Sequence, residues 1–422
     1  MAQNEKVIYV YENWRKESPS LLGKLRSVFV RGQESFSFEY EPQWLQECDG
    51  AYSLDPDLAL YGGRQYTPLD KPLFGLFSDS CPDRWGRLLM RRREAIQARK
   101  EDRKPRKLTE SDFLLGVFDE SRMGALRFSL EEGGPFLSND PAFATPPWVK
   151  LRTLEHASLA FENDDSGLNE QWLQQLLAPG SSLGGARPKA SVLAADGSLW
   201  IAKFPSKNDE YNSGAWEMVV HELAKLCGLY VPEAKLETFS KTGSTFLVKR
   251  FDRKGSQRIH FASAMTLLGK TDGASAADGT SYLDLASFIR SNGATPTEDL
   301  RELWKRIVFN MAVSNTDDHL RNHGFLLTPT GWVLSPLYDV NPIPEGNCLS
   351  LNVNEEDNSI DISLALEVAG YFGLTEQESE TAATEICRIV QENWEKISQK
   401  HGLSRGAVER MRGAFSAKEN QI

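Results

Sequence analysis

A lysine at the end of an apolar strand is the most restrictive feature of this sequence. Residues 181–206, SSLGGARPKASVLAADGSLWIAKFPS, read as a polar loop with Gly184 and Gly185, a strand, a turn at Asp196-Gly197 and a second strand ending in Ala202-Lys203-Phe204. An inward ammonium on such a strand is costly unless a carboxylate meets it, so the fold has to bring an acid to Lys203. The next segment, NSGAWEMVVHELAKLCGLYVPEAKL, reads as a helix ended by Gly228 and followed by a strand. It offers Glu217 near its start, with Glu222 as the competitor and a plain surface position for Glu217 as the alternative. Gly184 and Gly185 let backbone N–H groups approach a phosphate. The loop is not a Walker A motif, because Ala186-Arg187 stand where Gly-Lys-Ser/Thr is needed, and a surface hairpin loop fits the glycines as well.

The densest chemistry lies further on, in Asn315–Asp339, NTDDHLRNHGFLLTPTGWVLSPLYD. Asp317 is followed after four residues by Asn322, and Asp339 stands seventeen positions beyond that at the end of an apolar run. An Asp, an Asn and a second Asp in that order are the parts of a phosphoryl-transfer site: one acid to take a hydroxyl proton, two oxygen donors for Mg2+. The Asp-x4-Asn spacing matches the catalytic loop of protein kinases, although the His-Arg that precedes the Asp there and the Phe-Gly after the second Asp are missing. Lys203 with Glu217 has the form of the kinase lysine–glutamate pair that positions α/β-phosphates. His319 and His323, four apart with Asp318 nearby, offer a rival metal site of a metallohydrolase, but Leu320 stands where a zincin has Glu.

Around these stretches the pattern changes along the chain. The first forty residues alternate as strands about a turn at Arg31-Gly32, Pro82 to about Lys100 reads as a helix, and TESD (109–112) caps another before a strand in GALRFSL. The Pro- and Gly-rich residues 131–147 mark a boundary. Two amphipathic helices, LRTLEHASLAFE and LNEQWLQQLLA, follow it; FLVKRFDR reads as a strand, and helices dominate from about residue 261, broken at Asn341-Pro342-Ile343-Pro344. The expected organisation is a β-rich subdomain over 1–130, a linker over 131–150, a small β-rich lobe over 151–260 and a larger helical lobe over 261–422. At 422 residues the chain is long enough for more than one core.

Five dispersed cysteines with no C-x-x-C pair disfavour a disulfide framework or structural zinc, and the N-terminus has no apolar h-region. A reducing, cytoplasmic setting without membrane contact is expected. The formal charge of −11 argues against a surface that binds nucleic acid throughout. Between Arg84 and Lys107, however, eleven basic residues face three acidic ones. That run is either a solvated helix face or a contact patch for an acidic partner or a DNA backbone.

Taken together, SSLGGARPK, IAKFP, KRFDR, NTDDHLRNHGF and LSPLYDV, in that order and with PDRWGR and MGAL upstream, resemble the HipA-type serine/threonine kinases, toxin components of bacterial HipBA toxin–antitoxin pairs. The resemblance implies an α+β, bilobal protein-kinase-like fold with an N-terminal β-rich subdomain. It implies ATP and Mg2+ as cofactors, Asp317 as catalytic base, Asn322 and Asp339 as Mg2+ ligands and Lys203 on the ATP phosphates. His319 and Tyr338 would line the nucleotide site, and Phe251 and Asp252 its adenine and ribose end. It also implies autophosphorylation of the glycine-rich loop at Ser182, with Ser181 adjacent. The resulting dianion would repel the ATP phosphates and disfavour the nucleotide-bound loop. The implied partners are a protein substrate, such as an aminoacyl-tRNA synthetase, and a HipB-like helix-turn-helix antitoxin. Lys249 departs from the glutamate frequent in the family's hinge, and Arg187-Pro188 is a less usual loop sequence. The competing reading is a silent kinase fold acting as a nucleotide-binding or co-repressor module, against which the intact Lys203, Asp317, Asn322 and Asp339 speak.

Overall fold

The computed structural model describes residues 5–30, 32–48, 52–141, 144–163, 176, 185 and 187–416. The chain divides into two compact units, Met1–Asn208 with Lys249–Ala262, and Asp209–Val248 with Ser263–Ile422. The expected helix over 168–178, Leu176 apart, and the loop positions Ser181, Ser182 and Gly184 lie outside the described residues.

The first unit opens with strands β1 (Lys6–Glu12), β2 (Ser20–Val30) and β3 (Gln33–Tyr40). β2 and β3 form a hairpin whose turn needs the left-handed conformation at Gly32, φ 83°. Helix α1 (Pro42–Cys48) and the short strand β4 (Gln65–Tyr66) follow. Next come α2 (Gly75–Ser78), α3 (Arg84–Lys100) and α4 (Glu110–Gly116), and strand β5 (Leu126–Ser129) completes an antiparallel sheet of order β4-β3-β2-β1-β5. Ile8, Val10, Leu25, Phe36 and Phe38 are buried on it. Two local signals set the helix starts. Asp83 accepts from the Gly86 N–H at the head of α3, and Thr109 and Asp112 form a capping box on α4.

The stretch expected to link domains is fastened within this unit. Asp119 N–H donates to the Ser138 carbonyl, Ser138 N–H to Val117, and Leu137 N–H to Phe128. Beyond it come α5 (Leu151–Asn163) and the hairpin of β6 (Lys189–Leu193) and β7 (Leu199–Lys203).

In the second unit, α6 (Ser213–Leu226) precedes the hairpin of β8 (Ala234–Glu237) and β9 (Thr245–Lys249). Between β9 and the rest of that unit run the short strands β10 (Arg253–Lys254), β11 (Gln257–Arg258) and β12 (Phe261–Ser263). Helices α7 (Ala264–Leu267), α8 (Tyr282–Asn292) and α9 (Pro296–Ala312) lead to the hairpin β13 (Gly324–Thr328) and β14 (Gly331–Leu334). The chain closes with α10 (Ile362–Glu367), α11 (Glu376–Lys400) and α12 (Arg405–Ser416). The aromatic rings of Trp216 on α6 and Trp394 on α11 both pack on Phe415 of α12. Among the described residues no helix is long and apolar enough to cross a membrane.

Candidate active site

Helix α9 ends abruptly. Ser314 takes a left-handed conformation, φ 48°, and the Asn315 N–H closes back onto the Asn310 carbonyl at 2.9 Å. A non-glycine residue rarely accepts that conformation, so the turn is held by its surroundings. Asn315 Nδ2 donates to Asn310 Oδ1 at 3.0 Å, and its own Oδ1 accepts from the Asn341 N–H. The chain is thereby thrown off the helix into the segment carrying Asp317.

Asp317 is exposed, and the neighbouring Asp318 is buried. The Asp317 carbonyl accepts from the His319 N–H at 3.0 Å and from Asn322 Nδ2 at 2.8 Å. The residue proposed as base and the residue proposed as metal ligand are therefore tied together directly. Because the Asn322 amide nitrogen is spent on that carbonyl, its Oδ1 is left as an acceptor. The Tyr338 hydroxyl donates to the Arg321 carbonyl at 2.7 Å, tying the residue before Asp339 to the residue before Asn322. Asp339 is itself left-handed, φ 59°, an outlier of the kind found where function sets the backbone. Two hard oxygen donors, one a carboxylate, suit Mg2+.

Asp318 and His323 are not ligands in waiting. Asp318 Oδ2 accepts from the Tyr282 hydroxyl at 2.6 Å, Asn310 Nδ2 at 2.6 Å and His323 Nε2 at 2.9 Å. Burial pushes the Asp318 carboxyl up, but the His323 imidazole and the hydrogen bonds from His323 and Tyr282 bring it below the ordinary carboxylate value. Burial and the Asp318 charge drive the Tyr282 phenol well above its usual range. Among the described residues, no group of three His, Cys, Asp or Glu side chains could hold a metal. His319 is half-buried, with Nδ1 lacking a hydrogen-bond partner.

In the first unit, β6 and β7 pair with Lys189 directly opposite Lys203. Side chains opposite each other share a face, and both lysines are buried. Like charges so placed repel, and Lys189 is neutralised by Asp83, Nζ to Oδ2 3.2 Å. The Lys189 ammonium also lies 3.3 Å from where a Cβ on Gly185 would sit, and Gly185 has φ 90°. Lys189 is thus a buried, neutralised partner of Asp83 on the face it shares with Lys203. Sequence reasoning missed this pairing, whose carboxylate stands more than a hundred residues upstream.

Glu217 and Lys203 fall in different units. Glu217 is on the buried face of α6. Glu222, its competitor, is engaged within its own unit by Lys400 Nζ at 2.8 Å and His401 Nε2 at 2.9 Å.

Asp252, expected at the ribose end, is engaged by the chain's own groups. It is fully buried and bonded to Arg250 Nε at 2.9 Å, Arg253 Nη1 at 2.6 Å and the Gly124 N–H at 2.8 Å. Burial alone would raise its carboxyl, and the Arg250 and Arg253 guanidiniums hold it down at about 2. Arg250 also donates to the Ser121 and Arg122 carbonyls, and Arg253 to those of Arg122 and Gly124. The KRFDR and MGAL motifs are thus two halves of one clamp. Phe251, between the clamp residues, stays half-buried against Phe261.

Residues 181–394 match the family model described as the HipA-like C-terminal domain. The chain is 31% identical over 183 residues to a putative kinase of Sinorhizobium fredii, covering 38% of this chain and 41% of that protein. It is 24% identical over 228 residues to the serine/threonine-protein kinase toxin HipA of Shewanella oneidensis, covering 47% and 52%. The chain therefore spans about half, or less, of these curated relatives. Among solved structures, a chain of the Shewanella oneidensis MR-1 complex of HipA, HipB and operator DNA matches with TM-score 0.67 and 18% identity, over 97% of this chain and 95% of that one, a likeness of fold. The fold is α+β and kinase-like.

Proposed function

The chain belongs to the HipA family of kinase-like proteins, and on that premise we propose that it is an ATP- and Mg2+-dependent serine/threonine protein kinase. The carrying observation is the segment after α9: an exposed Asp317 whose carbonyl is held by Asn322. The acceptor hydroxyl oxygen bonds to the γ-phosphorus as the bond from that phosphorus to the β–γ bridging oxygen breaks. ADP leaves with the electron pair, and the hydroxyl proton passes to the Asp317 carboxylate. Lys203 offsets phosphate charge. Asn322 and Asp339 would hold Mg2+, which when bound neutralises charge on the β- and γ-phosphates.

In this reading Ser182 is the autophosphorylated residue, a protein is the substrate, and a HipB-like antitoxin is the partner. The family membership and the fold shared with the HipA–HipB–DNA complex support the last of these. Asp317→Asn keeps nucleotide binding, since Lys203 and the metal ligands remain, and lowers phosphoryl transfer by about 10²–10⁴. Labelled ATP followed by mass spectrometry reads the outcome; phosphate accumulating on Ser182 in the purified variant at the wild-type rate overturns the assignment.

A further inference from the structure

Protein kinases brace their catalytic Asp through the residues just before it, and here the preceding pair is Asn315-Thr316 instead of His-Arg. The geometry points to a different brace: we propose that Asp318, the residue after the base, is the positioning residue of the catalytic segment, an inference that rests on the kinase reading of Asp317.

Asp318 has the form such a brace needs. It is only 1% exposed, and its Oδ2 gathers donors from three directions: Tyr282 on α8, Asn310 on α9, and His323 at the foot of β13. Asn310 extends the network by accepting from Asn315 Nδ2, and Asn315 in turn accepts from the Asn341 N–H, two residues beyond Asp339. The residues on either side of the base are therefore pinned to one frame, which also reaches the segment of the second proposed metal ligand. With Asp318 drawn inward, Asp317 stands exposed next to it. Placement of a base to within an ångström is what such a frame supplies, and its loss touches the rate more than the affinity.

The test uses the full chain with Asp318→Leu, Asp318→Asn and Tyr282→Phe. Three readouts are taken: the single-turnover autophosphorylation rate at saturating ATP, written kcat below, the ATP concentration that gives half of it, written KM, and amide hydrogen exchange of residues 315–322. In Asp318→Leu, kcat falls by about 100-fold while KM for ATP stays within about threefold, and those amides exchange at least about tenfold faster. Asp318→Asn, whose amide oxygen still accepts, recovers about tenfold of the lost rate. Tyr282→Phe, which removes one donor and leaves the carboxylate in place, lowers kcat by about tenfold and serves should Asp318→Leu not fold. Wild-type kcat in folded Asp318→Leu or in Tyr282→Phe, or unchanged exchange at 315–322 in all three variants, overturns the proposal. A wild-type chain that transfers no phosphate overturns the kinase reading instead, and the exchange comparison then still decides whether Asp318 holds the segment.

Discussion

A single carboxylate shows how far a residue's neighbours outweigh its position in a motif. Asp252 sits in KRFDR, where resemblance to a nucleotide-binding family assigns it to the ribose end, yet its oxygens are taken by Arg250, Arg253 and Gly124. Arg250 and Arg253 flank it in KRFDR, but the groups that complete the clamp, Gly124 and the Ser121 and Arg122 carbonyls, come from more than a hundred residues upstream and are not announced locally. The same distance hid the pairing of Lys189 with Asp83. Lys203 was legible because a lone cation at the end of an apolar strand is anomalous on sight. Asp252→Asn strands two buried guanidiniums, and destabilisation of about 3–5 kcal/mol is expected in urea unfolding. Its pH signature has a fixed sign. The folded carboxyl, at about 2, lies below its unfolded value, so its stabilisation is complete above the unfolded pKa and is lost as pH falls through the folded one. On the order of 2 kcal/mol should disappear between about pH 4 and pH 2 in the wild type, and not in Asp252→Asn.

Elements were easier to read than their neighbours, since a helix start is written within four residues. The Thr109–Asp112 box on α4 and the stop of α6 at Gly228 are local chemistry. Thr109→Ala should cost about 1 kcal/mol by chemical denaturation. How elements pack was not legible: Gly214, in the first turn of α6, lets that helix approach so closely that a Cβ would lie 2.1 Å from the Ser244 carbonyl oxygen. Gly214→Ala has to push the helix away from that backbone, at an expected cost of about 1–3 kcal/mol. The same shift displaces Glu217, three residues on, so KM for ATP should rise along with the loss of stability. A Gly214→Ala chain with wild-type melting temperature and KM contradicts this picture. The catalytic segment belongs between the two cases. Asp317, Asn322 and Asp339 stand out by spacing, whereas Asp318 reads in the sequence as a companion of His319 and His323 in a rival metal site, and its engagement by Tyr282, Asn310 and His323 is visible only in the structure.

At the scale of the molecule, ligand and fold are linked. ATP with Mg2+ at a hundred times its Kd should add about 2.7 kcal/mol to stability, visible as a higher melting temperature that chelator reverses and Lys203→Met abolishes. The two left-handed residues that bracket the catalytic segment, Ser314 and Asp339, pull the other way. Glycine fits that backbone region without steric penalty, so Asp339→Gly should melt no lower than the wild type while losing Mg2+-dependent nucleotide binding. Fitness for heat and fitness for catalysis thus rank the same two chains in opposite order. On the proposed function, a laboratory selection for thermal robustness alone, run without a demand for phosphoryl transfer, would be expected to discard the carboxylate proposed to hold Mg2+ early, and the survivors would be sturdy, well-folded pseudoenzymes.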